Sequence, residues 1–190
     1  MLKLSQMKIE KVLNEFYLKN GLPENGGATK DTFQIKLGFI NIPFPNPKFR
    51  KKLTYIHDLE HVLNNCNTSW KGEGFIAGWE VGTGFWKHFP INIFVFLAFG
   101  FSLWLHPKSV FKGFKKGLNS HGIIDLGLST SDLMKMDFEQ LVKITKKEQH
   151  TEMGGLQWAE FVFWSFVSQI FLFSPVVFGI LGLALYLDKL

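Results

Sequence analysis

The run from Phe161 to Leu187 contains no charged residue, and no other feature limits the possible folds so severely. At ~1.5 Å per residue such a helix is roughly 40 Å long, whereas a hydrocarbon core of ~30 Å is crossed by about 20 residues. The segment is long enough to span a bilayer, taking up its excess by tilt or by a bend at Pro175. The competing arrangement is a buried or interfacial helical hairpin broken at Ser174-Pro175. Lys143, Lys146 and Lys147 precede the run, and only Asp188-Lys189-Leu190 follow it. The positive-inside bias then keeps the main body on the cytoplasmic side, with a single C-terminal span. A second apolar stretch, Ile91 to Leu105, is shorter and has basic residues on both flanks. It reads as a core or lipid-facing helix rather than a second span.

Composition points to the same kind of surroundings. The 190 residues include 21 Phe and 6 Trp, while only 19% are charged. So much aromatic surface calls for a membrane, a bound lipid, or both. The formal charge of +5 rests almost wholly on lysine, Arg50 being the single arginine. Nucleic-acid modules usually depend on arginine within a basic, polar stripe, so no nucleic-acid partner is expected. Lysines beside long apolar runs suit anionic lipid better. Lys108, Lys112, Lys115 and Lys116 are candidates for an anionic head group, although a charge run is ordinarily a solvated face. The lone Cys66 excludes an intramolecular disulfide and any multi-cysteine metal site. Met1 to Tyr17 mixes charge with apolar residues and lacks the continuous apolar core of a signal peptide.

Helical periodicity dominates the remainder. Lys3 to Lys19 places Ile9, Val12, Leu13 and Phe16 on one stripe that ends at Asn20-Gly21. Leu22 to Pro47, punctuated by Gly26-Gly27 and three prolines, reads as an ordered loop. A second helix runs from near Asn46, with Pro47 in its first turn, to Asn64. A third covers Gly72 to His88, and Lys108 to Lys116 forms a basic one. Ser129 to Asp132 then caps a single amphipathic helix carrying Leu133, Met136, Leu141 and Ile144. The expected fold is all-α, with a helical domain over residues 1–150 and a hydrophobic, membrane-associated segment over 156–190.

The chemistry concentrates at His57, Asp58 and His61, followed by Glu73, in the pattern H-D-x-x-H-x11-E. Residues four apart on a helix lie one above the other, so His57 and His61 share a face, with Asp58 about 100° away. The turn Asn65 to Ser69 lets the next helix fold back and present Glu73. Imidazoles with carboxylates suit a divalent metal: zinc first, with iron, cobalt and manganese also compatible. Such a site leaves positions open for water or substrate. The plainer alternative is two helical histidines in ordinary polar contacts. Glu80, two turns beyond Glu73, is a candidate base or a group orienting a ligand. Glu60 falls inside the apolar stripe of its own helix, and the pattern gives no reason for it. Gly74, Gly78 and Gly82 form a ridge open either to tight helix packing or to an elongated apolar ligand. The pattern assigns no catalytic residue.

At these positions the chain resembles the coenzyme Q (ubiquinone) biosynthesis protein 4 family, whose pattern is matched by His57, Asp58, His61 and Glu73. The flanks Ile56-His57-Asp58-Leu59, His61-Val62-Leu63, Gly72-Glu73, Trp79-Glu80 and Phe111-Lys112-Gly113 are similar too. The resemblance covers roughly Leu22 to Thr145. It implies an all-helical, peripherally membrane-bound protein, commonly dimeric, that takes a polyprenylated quinone precursor and organises other quinone-biosynthesis enzymes. It also implies that the four pattern residues are metal ligands and that the activity promotes oxidative removal of the ring carboxylate. Glu60 and the apolar tail after Leu156 depart from the family pattern. Two other readings stand beside this one. One is a prenyl-lipid carrier or scaffold with a structural metal; the other is a membrane di-iron hydroxylase, disfavoured because His88, His106, His121 and His150 are isolated.

Overall fold

The computed structural model describes residues 6–37 and 40–188. Among them are eight α-helices and one two-stranded sheet, so the chain is all-α apart from a hairpin. In order these are α1 (Ile9–Asn20), β1 (Thr32–Leu37), β2 (Ile40–Pro45), α2 (Lys48–Leu63), α3 (Trp70–Thr83), α4 (Asn92–Leu105), α5 (Pro107–Gly117), α6 (Thr130–Lys135), α7 (Phe138–Thr145) and α8 (Gly155–Leu187). They group into two compact units, one of residues 1–68 with 120–148 and one of residues 69–119 with 149–190.

In the first unit α1 buries Ile9, Val12, Leu13 and Phe16, the stripe its periodicity implies, together with Tyr17. It stops where Gly21 takes a left-handed conformation and its N–H turns back to the carbonyls of Leu18 and Tyr17. The helix expected from Lys3 starts only at Ile9, because Lys8 is extended and bridges to Asp137. Residues 1–5 lie outside the described residues. That same bridge accounts for a second difference. The single helix expected after Ser129 is two, since Met136 is extended and Asp137 begins α7 with a new capping box closed by Gln140. The Leu22–Pro47 loop likewise contains structure. Thr32–Leu37 pairs antiparallel with Ile40–Pro45, and the rings of Phe33 and Phe44 face each other across the ladder at 6.0 Å. Prolines at 43 and 45 suggest a loop, but a two-stranded sheet is all edge, where a missing N–H is tolerated.

In the second unit the glycine ridge of α3 packs on α5. A Cβ at Gly78 would fall on the Val110 carbonyl, and one at Gly113 would fall on the carbonyl of Phe75. The two helices therefore meet backbone to backbone, which only residues without side chains permit. Helix packing, not a ligand, fills the ridge. Phe96 and Phe99 of α4 are buried, and their rings meet Trp164, Phe171 and Phe161 of α8.

Helix α8 is continuous through Pro175, so the hairpin broken at that residue does not form. Proline removes the N–H that would bond to the Phe171 carbonyl; the Ser174 hydroxyl donates to that oxygen instead, at 3.0 Å. By length and composition α8 can cross a membrane, and none of its most apolar window is buried.

The contact between α3 and α5 sets a clear expectation. Gly78→Ala should lower unfolding stability by ~1–3 kcal/mol through overpacking. Gly179→Ala, where a Cβ meets nothing within 4 Å, should be neutral or gain up to ~1 kcal/mol of helix propensity. Denaturation of both variants in detergent or lipid checks the contrast.

Candidate metal centre

Helix α2 brings its two histidines together by its own period. His57 Nε2 and His61 Nε2 are 3.3 Å apart, with the rings nearly perpendicular at 78°. Two ligand atoms each ~2.05 Å from a tetrahedral ion are separated by about 3.3 Å, so this spacing fits a shared cation. His61 is fully buried, and the Phe16 ring of α1 stacks on it at 6.0 Å. That contact holds the imidazole in one orientation. His57 is half-buried, so the pair keeps a more open side.

The neighbouring residues of α2 divide the work. Glu60 is fully buried beside His61 in the chain. Asp58 is also buried, and its carboxylate accepts a hydrogen bond from the Tyr17 hydroxyl of α1. Burial pushes the Tyr17 phenol far above its ordinary value, and the Asp58 charge and that hydrogen bond push it further. Gly26, at φ 60°, lies against the same carboxylate, where a side chain would collide with Asp58 and Thr54. Asp58 is thereby fixed between α1 and the turn that carries Gly26.

Helix α3 carries Glu73 and Glu80. Its first turn is capped by Ser69, whose side chain accepts from the Gly72 N–H. Glu73 lies in that turn, where a helix N-terminus favours negative charge. Glu80 is two turns further on and only 3% exposed.

One ligand atom each from His57, His61 and Glu73 lie within 4.8 Å of one another, and so do one each from His57, Glu60 and Glu80. A histidine and glutamate group that could hold a metal ion is therefore present. Three of the four pattern residues fall in the first group, while Asp58 belongs to neither and faces Tyr17. Glu80, expected near the site as a base or orienting group, falls in the second. Glu60 joins it there. The signal for Glu60 was visible as an acid within an apolar stripe, but no spacing rule connects it to His57 and Glu80. Lys108, Lys112, Lys115 and Lys116 are exposed on α5 and take no part in either group. No family model, no curated protein and no solved structure matches the chain.

Tyr17→Phe should cost ~1–3 kcal/mol, because it removes a hydrogen bond to a buried carboxylate. The wild type should hold this contribution below the ordinary tyrosine value of ~10 and lose it as pH rises above that, since the unfolded chain releases its proton first. Denaturation of both proteins between pH 8 and pH 11 tests the pair of expectations, the variant showing a shallower alkaline decline.

Proposed function

We propose that this chain is a metal-binding, membrane-associated protein of ubiquinone (prenylquinone) biosynthesis that promotes oxidative decarboxylation of a polyprenylated ring precursor. The observation that carries the proposal is the His57–His61 nitrogen pair at 3.3 Å with Glu73 in reach, at the positions of the H-D-x-x-H-x11-E pattern. His57, His61 and Glu73 hold the ion in this reading. Asp58 adds negative charge one residue from His57 while Tyr17 holds it in place. Zinc fits the donor set first; iron, cobalt and manganese fit as well.

When bound, the ion would supply a Lewis acid for the ring carboxylate or an adjacent oxygen, while dioxygen, as the oxidant, takes two electrons to give peroxide, the carboxyl leaves as carbon dioxide and water supplies the hydroxyl that replaces it. The protein's own groups do the rest. His61 and Glu80 are each buried, and the scarcity of water around a buried group strengthens its charge interactions. In this reading Glu80 accepts or returns a proton, and Glu60, grouped with His57 and Glu80, adds a second buried carboxylate. The apolar helices accommodate the prenyl tail, and α8 anchors the protein with its main body on the cytoplasmic side. The other enzymes of the pathway, and a second copy of the chain, are its proposed protein partners.

Purified full-length protein should carry about one divalent ion per chain. His57→Ala and His61→Ala should each weaken metal binding by ~10–100-fold or more. Cells lacking the gene should accumulate a carboxylated prenyl ring, and the His57→Ala variant should fail to clear it. Equal metal in wild type and His57→Ala would contradict the site. Unchanged quinone pools in the deletion would contradict the pathway. A bound precursor that never turns over, even with metal and oxygen supplied, would instead identify a prenyl-lipid carrier or scaffold.

A further inference from the structure

The unit of residues 69–119 and 149–190 exposes large apolar side chains in an ordered way. Besides those of α8, they are Trp86 at 42%, Phe89 at 80%, Trp104 at 69% and Leu105 at 49%. These four sit in the turn leading into α4 or at its last residues, not along its middle. Both groups also reach α8 at nearly the same height. The Trp86 ring stacks on Trp164 at 5.3 Å. The Trp104 Nε1–H donates to Gln169 Oε1 at 2.9 Å, and the Gln169 amide donates to the Gly100 carbonyl at 3.2 Å. Trp164 and Gln169 are only ~7.5 Å apart along a helix axis. Three indoles thus collect at one level of α8.

What lies on either side of that level differs sharply. Toward the N-terminus, Trp158 and Phe161 of α8 pack on Phe111 of α5. Helix α5 also carries the exposed Lys108, Lys112, Lys115 and Lys116. Toward the C-terminus, every described residue from Pro175 onward is exposed. The rise from Trp164 to Tyr186 is about 33 Å, close to the ~30 Å of a hydrocarbon core. Tryptophan and tyrosine are the residues that settle at the two membrane–water boundaries, because an apolar ring and a polar N–H or O–H suit that layer.

We infer that the bilayer surface crosses α8 at the indole cluster of Trp86, Trp104 and Trp164, so that both ends of α4 rest on lipid head groups and the span runs from there to Tyr186. This rests on the reading of α8 as a membrane span and adds its depth and its lipid-facing companions. Residues 155–163 of α8 stay in the surface layer with α5, whose lysines meet anionic head groups. The helical unit is therefore seated in the interface rather than tethered above it.

The test uses the full chain in vesicles containing anionic phospholipid. With Cys66→Ser as background, single cysteines at Phe89, Val162, Val176 and Tyr186 carry an environment-sensitive fluorophore. Lipids bearing a quencher at known depths then report where each position lies. Shallow quenching is expected at 89, 162 and 186, with the deepest at 176. Acyl-chain quenching at 162 with none at 186, as a span centred on the middle of the whole helix would give, would overturn the indole boundary while leaving a span in place. Deep quenching at 89 would overturn it as well. Absence of acyl-chain quenching at every position would overturn both this inference and the span itself, as would burial of α8 against a second copy.

Discussion

Burying an ionisable side chain is expensive unless hydrogen bonds or opposite charge compensate it, and α2 buries three within four residues. Asp58, Glu60 and His61 are 8%, 0% and 0% exposed. Tyr17 meets part of the demand by donating to Asp58. Imidazole nitrogens can offer lone pairs and carboxylates negative charge, and one divalent cation can take both kinds of donor at once. The rest of the arrangement serves to hold these donors still. Phe16 stacks on His61, and Gly26 leaves room for the Asp58 carboxylate.

Helix α3 does two jobs on two faces. Gly78 and Gly82 face the α5 backbone, while Gly74 lies against the Ser102 side chain of α4. Glu73 lies one residue before the ridge begins, about 100° around the helix, and Glu80 follows it by two turns. Close packing on one side therefore fixes the direction in which the acids project on the other. A substitution in the glycine ridge, on a different face from the acids, should for that reason disturb them as well as the core.

Much of this was legible in the residues. The four-residue spacing of His57 and His61 requires only that α2 be a helix, and the apolar stripe with Pro47 at its start makes it one. The length of the uncharged C-terminal run likewise needed no tertiary information. Where local reading failed, a distant contact decided. Lys8 pairs with Asp137, and that pairing delays α1 and divides α6 from α7. Neither break has a glycine or proline to announce it. The hairpin was obscured by the opposite effect, since Pro43 and Pro45 suggest a loop although an edge strand accepts them. Glu60 shows the same limit at the site. Its burial was visible as an anomaly, but its neighbours come from Glu80 on another helix.

The donor set of a buried His61 with half-buried His57 and Glu73 is the part on which the proposed metal chemistry depends. X-ray absorption spectroscopy on the metal-loaded full chain addresses that directly. It should show two imidazole nitrogens and at least one carboxylate oxygen at ~2.0–2.2 Å from the ion, with one imidazole lost in His61→Ala. A spectrum with oxygen ligands alone, unchanged by that substitution, would contradict it.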